Sequence, residues 1–195
     1  ERHVRSWIAA VEPGFIAADV TGRRIQNWVM ALSLYTALPD SAVDWDFVVI
    51  AERSLADQAS WLAANLHPAR NHRTLELLAL LMAGIWLGNA LDAEVALAFL
   101  ADNAEADFLP DGVHVEISSH YHCIALRNLI DAVALAEANG LAVPARLRAV
   151  VTRASHFARV LHKPDGLIPM LSDADTGDYR AMLGEGAEPG MVEVF

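Results

Sequence analysis

The feature that most constrains this chain is an apolar period of three and four residues that is broken, again and again, by Pro, Gly and short polar joints. From Thr21 onward the apolar side chains fall at Ile25, Trp28, Val29, Leu32 and Tyr35, which places them on one stripe of a helix. Pro39 stops that helix. Asp40 and Ser41 are suited to cap a second, running through Phe47, Ile50, Leu55 and Leu62 until Pro68. The spacing predicts a third helix over Thr74 to Leu87, apolar nearly all round and therefore covered on several sides. Asp92 is expected to cap a fourth, from Ala93 to Ala101. A fifth starts near Ser119 and ends at Asn139 and Gly140, and a sixth runs from Pro144 to Leu161. Between the fourth and fifth, Val113 to Ser118 alternates with period two, as a short extended segment would.

Helix after helix with short joints implies an all-α chain of antiparallel hairpins stacked around a common axis, expected here as a single domain over residues 1–195. With 54% apolar and 20% charged residues, a sizeable core must form. The longest apolar run, Leu77 to Leu87, falls well short of the roughly 20 residues that a bilayer crossing needs, so no membrane partner is expected. The net charge of −11 lacks the basic footprint of a nucleic-acid binder. Cys123 is alone, so no internal disulfide can form. Residues 167–195 are rich in Gly, Pro and Asp and are expected to be a loop or connector. A start at Glu1 with no leader-like segment is expected of a processed protein or an excised piece.

Two clusters could carry chemistry. Arg70, Asn71, His72 and Arg73 stand at the joint before the third helix, where free N–H groups attract anions, so an amide, an imidazole and two guanidinium groups could hold a carboxylate. Asn71 could equally be a cap residue with solvated charges around it. Glu116, Ser118, Ser119, His120, Tyr121 and His122 stand where the extended segment turns into the fifth helix. Tyr and His suit proton transfer because burial or a nearby cation can move their proton affinities toward neutrality. They could also be packed or surface groups. His114, Glu116, His120 and His122 are zinc-ligand types without a compact zinc spacing. Asp173, Asp175 and Asp178 resemble a calcium loop only loosely, because Gly184 stands where the closing Glu belongs. Glu116 with Asp111 could form the carboxylate pair of a glycoside hydrolase. A non-catalytic scaffold that binds glycan or protein is a further possibility.

Five pieces in the same order resemble the helical domain of the heparinase II/III superfamily. They are Arg24 with Asn27 and Trp28; Asn71-His72 followed by the apolar helix containing Gly84; Leu109 to Gly112; Glu116 to His122; and Pro164 to Gly166 followed by Pro169 and Asp173. The resemblance implies an incomplete toroid of helical hairpins, normally followed by a C-terminal domain of antiparallel β-sheets that closes the substrate cleft. Residues 167–195 would then lead toward that domain. It implies a lyase that cleaves uronate-containing polysaccharides such as heparan sulfate or alginate by β-elimination, with an acidic polysaccharide as partner, no cofactor, and export to the periplasm or medium. Carried over residue by residue, Asn71 and His72 match the groups that neutralise the uronate carboxylate. Tyr121 matches the tyrosine that acts as acid and, for some sugars, as base; His72 would be the base for the opposite epimer. Arg70, Arg73, Glu116, His120, His122, Arg24, Asn27 and Trp28 would line the substrate. The chain departs from the family at Arg70, where a second Asn or a Gly is usual, and at Leu75, where some members carry Glu and this chain has it at Glu76 instead.

Overall fold

The structure is a computed structural model that describes residues 1–184. Among these residues there are seven α-helices, one more than the periodicity implies, and no strand: α1 (Arg2–Ala10), α2 (Ala18–Thr36), α3 (Trp45–Ala64), α4 (Arg70–Trp86), α5 (Ala90–Asp107), α6 (Ser119–Ala138) and α7 (Ala145–Leu161). None of them is long and apolar enough to cross a membrane.

The described residues group into two compact units, the first made of Glu1–Pro68 with Leu75–Ala96 and the second of Ala69–Thr74 with residues from Leu97 onward. In the first unit α2 and α3 form an antiparallel hairpin: Arg24 lies against Gln58 near one end and Tyr35 against Phe47 near the other. Ile25, Val29, Leu55, Leu62, Ala79 and Ala83 are buried together there, and each fully buried Leu or Ile contributes about 1.5–3 kcal/mol. Gly84 is required where α4 meets the start of α5, because a Cβ would stand 2.8 Å from the Ala93 nitrogen.

Helix starts differ from the sequence expectation in an instructive way. Asp44, not Asp40 or Ser41, caps α3 by accepting the Phe47 N–H at 3.0 Å; Asp40–Ala42 forms a short 3-10 turn instead. Asn89 caps α5 by accepting the Asp92 N–H at 3.3 Å, and the Asp92 carboxylate bonds back to its amide, a reciprocal cap three residues apart. The expected cap at Asp92 is therefore the third helical position. α5 also runs on to Asp107, beyond the apolar stripe, because Ala-rich sequence sustains a helix on propensity. α1 has no counterpart in the six helices expected.

In the second unit α6 and α7 form the next antiparallel hairpin, turned by Gly140 at φ +71°. α5 leads into a looped segment closed by an isolated bridge between Phe108 and His114, with the Leu109 N–H on Val113 O at 2.8 Å and the Val115 N–H on Asp107 O at 2.9 Å. The described part of the 167–195 segment lacks regular structure except for a 3-10 turn at Arg180–Leu183; residues 185–195 of that connector lie outside the described residues. It is anchored on α6, since the hydroxyls of Ser118 and Ser119 donate to the carbonyls of Asp173 and Pro169.

Gly112 turns the looped segment at φ +90°, and a Cβ there would come within 2.4 Å of the Arg153 carbonyl oxygen. Both the backbone conformation and the space exclude a side chain. Gly112→Ala is therefore expected to lower the unfolding free energy by about 2–4 kcal/mol, read from urea denaturation; a loss under about 0.5 kcal/mol would show that the turn is not under this constraint.

Candidate active site

The start of α4 is built from groups far away in the sequence. A helix leaves its first N–H groups without partners and with a partial positive charge, and here two carboxylates take them. Asp107, at the end of α5, accepts the Arg70 N–H at 2.9 Å and the Arg70 guanidinium at 3.1 Å, and is itself held by Asn103 at 3.1 Å. Glu116 accepts the Asn71 N–H at 3.3 Å and the Asn71 side-chain Nδ2 at 2.9 Å from each of its oxygens. Asn71 is thus not the cap that its residue type suggests; it is capped, by Glu116, and its amide is turned toward that carboxylate. Arg70 sits at φ +76°, and its strain is offset by the bonds to Asp107.

Glu116 belongs to the stretch that leads into α6. Its N–H donates to His114 Nδ1 at 3.4 Å, and His114 is fully buried, edge-on to Phe108 at 5.0 Å between ring centres. Burial pushes the His114 pKa down. Ile117, an exposed β-branched residue, takes φ +53° to turn the chain, and Ser118 then caps α6 by accepting the Tyr121 N–H at 3.2 Å. The Asn71–Glu116 contact therefore ties the start of α4 to the chain five residues ahead of Tyr121. Tyr121 is half-buried in the first turn of α6, His72 is exposed in the first turn of α4, and Arg73 is half-buried beside it.

The remaining candidates have other surroundings. His120 pairs through Nδ1 with the Tyr179 hydroxyl at 2.9 Å, and its ring lies edge-on to Tyr121 at 5.7 Å. Tyr179 went unnoticed in the sequence because it sits in the segment without periodicity, 59 residues away. His122 is 1% exposed, held between Phe108 and Phe157, with Nε2 donating to Ala154 O at 3.2 Å and no hydrogen-bond partner for Nδ1. Arg24, Asn27 and Trp28 fall in the first unit. There Arg24 bonds Gln58 at 2.6 Å and the Pro13 carbonyl and lies 4.4 Å over the Trp7 ring, Trp28 meets the same ring edge-on at 5.4 Å, and Asn27 is exposed. Glu76 is fully buried and accepts both the N–H and Nδ1 of His67. Asp111 accepts the Val113 N–H at 3.1 Å, the ordinary use of Asp before Gly in a turn. Asp178 is bonded to Arg180, whose guanidinium holds its carboxyl down at about 2. Among the described residues no group of three or more His, Cys, Asp or Glu is arranged to hold a metal ion.

Residues 19–192 match the family model for the heparinase II/III N-terminus. The chain belongs to the heparinase II/III family. That family is one of polysaccharide lyases. A crystal structure of heparinase III is similar to the chain with a TM-score of 0.74 at 20% identity, over 85% of this chain and 27% of that one. A second heparinase III structure gives a TM-score of 0.70 at 21% identity, over 84% of this chain and 26% of that one, and its form with methylated lysines gives 0.69. The likeness shows the all-helical, toroid-type fold that these proteins share. The chain spans about a quarter of their length. No curated protein matches it.

The buried histidines of this heparinase II/III-family chain give a test of the packing beneath the candidate site. Burial lowers the His122 pKa to about 4, whereas an unfolded His titrates near 6.5. Between those values the unfolded chain takes up a proton that the folded chain resists, so this contribution is full above about pH 6.5 and declines until about pH 4. The stability of the wild type relative to His122→Phe should therefore fall by about 2–3 kcal/mol between pH 7 and pH 4.5, measured by urea denaturation. A difference that does not change with pH would contradict the buried, neutral assignment.

Proposed function

We propose that this chain carries the carboxylate-gripping and proton-donating part of a polysaccharide lyase site, which cleaves an acidic, uronate-containing glycan by β-elimination. The observation that carries the proposal is the grip of Glu116 on Asn71, which ties that amide to the segment leading into Tyr121. Membership of a polysaccharide lyase family supports the same chemistry.

The proton on the carbon that bears the uronate carboxylate is too weakly acidic to leave unless the charge building on that carboxylate is neutralised. The amide of Asn71 and the imidazole of His72, neighbours on the first turn of α4, are donors suited to that task. A base takes the proton, a carbon–carbon double bond forms, and the bond to the glycosidic oxygen breaks as the Tyr121 hydroxyl supplies a proton to that oxygen. A hydrolase based on Glu116 and Asp111 is less well supported, because Glu116 is committed to Asn71 and Asp111 to its own turn.

The test uses the protein at the full length that its gene encodes, with a panel of uronate polymers. Elimination leaves an unsaturated uronate with ultraviolet absorbance, and that signal is expected with at least one polymer. Tyr121→Phe, which removes the hydroxyl at little cost in packing, is expected to lower turnover by about 100- to 10,000-fold. New reducing ends without the absorbance would mean hydrolysis, and unchanged turnover in Tyr121→Phe would remove the proton carrier from the account.

A further inference from the structure

We infer that Glu116 is a positioning residue that sets the orientation of the Asn71 amide, so that one N–H of that amide is presented to the substrate carboxylate. The inference rests on the function proposed above and adds to it a residue that acts through Asn71 rather than on the sugar.

An Asn side chain has two nearly isosteric ends, a carbonyl oxygen and an NH2 group, and only the second can neutralise a carboxylate. Left to itself the amide can turn either end outward. Glu116 removes that freedom, because an ionised carboxylate only accepts. With Nδ2 at 2.9 Å from both Glu116 oxygens, the flipped amide would set oxygen against oxygen. The NH2 end is therefore fixed beside Glu116, and the hydrogen of Nδ2 that is not turned to Glu116 has a defined direction. The same carboxylate takes the Asn71 main-chain N–H at 3.3 Å, so backbone and side chain of Asn71 are held by a single group.

Glu116 is itself placed. Its N–H donates to Nδ1 of His114, a ring with no exposed surface that is packed against Phe108. On its other side Ile117 turns at φ +53° and Ser118 starts α6. A carboxylate with two protein donors and an anchored backbone is poorly suited to bind a mobile, negatively charged sugar directly. It is well suited to orient a neighbour.

The experiment measures kcat and KM on a uronate polymer for the full-length protein as wild type, Glu116→Gln, Asn71→Ala and the double variant, with thermal midpoints alongside. Gln keeps size and shape but leaves Asn71 one acceptor oxygen instead of two and sets an NH2 group where the second oxygen met Nδ2, so the amide is no longer held in one orientation. Glu116→Gln is expected to lower kcat/KM by about 10- to 100-fold, mostly in kcat, because misorientation is felt where charge develops. In the Asn71→Ala background the same change is expected to alter kcat/KM by less than about twofold, since the group that Glu116 orients is gone. An equal loss in both backgrounds, or no loss in the single variant, overturns the inference. Should Glu116→Gln not fold, Glu116→Asp keeps the charge while withdrawing it from Asn71, and the same pattern of losses is expected; an equal loss in both backgrounds there also overturns it. If Asn71→Ala alone keeps full turnover, the functional proposal fails and this inference with it. If Asn71→Ala is impaired and Glu116→Gln is not, only the inference fails.

Discussion

The start of α4 depends on carboxylates that the local sequence does not contain. Helix N-termini need acceptors for their first N–H groups and favour negative charge there. At this helix Asp107 and Glu116 supply both from the end of α5 and from the segment before α6. This arrangement decides what kind of anion site the helix can offer. Its main-chain donors at Arg70 and Asn71 are already occupied, and in the function proposed above the sugar carboxylate is met by side chains, the Asn71 amide and the His72 imidazole.

The same constraint explains the strained backbone nearby. Arg70 and Ile117 both hold positive φ without being Gly, and each stands next to a partner of the Asn71–Glu116 contact. Such conformations cost about 1–3 kcal/mol each and persist only where surrounding bonds impose them. Beneath them lies a packed layer in which Phe108 touches the rings of His114 and His122. Burial lowers the proton affinity of both histidines; His114 accepts the Glu116 N–H, and His122 ties α6 to the Ala154 carbonyl of α7.

What was legible in the sequence follows from how local each signal is. The stripe of α2, the start of α6 near Ser119, the turn at Gly140 and the start of α7 after Pro144 all depend on residues within a few positions of each other, and the structure has them. The early start of α4 at Arg70 was not legible, because its caps are 37 and 45 residues away. The exchange of Asp40 for Asp44 as the cap of α3 is a choice between two acidic residues that only the Phe47 N–H decides. At the candidate site the residue types did not reveal the pairing of Asn71 with Glu116, the burial of His114 and His122, or the use of Tyr179 by His120, because each depends on a partner far away in the chain or on packing. The partners of Arg24 and Trp28, namely Gln58, Pro13 and Trp7 within the first unit, were not legible either.

The central claim is that one sugar carboxylate is met by the amide and imidazole of α4 while the hydroxyl at the start of α6 reaches the bond to be broken. A crystal structure of full-length Tyr121→Phe protein with an uncleaved uronate oligosaccharide tests it most directly. A uronate carboxylate is expected within hydrogen-bonding distance, about 3 Å, of Asn71 Nδ2 and a ring nitrogen of His72, with the glycosidic oxygen beside the residue 121 ring. A sugar seated elsewhere, or a carboxylate with no contact to Asn71, would contradict it.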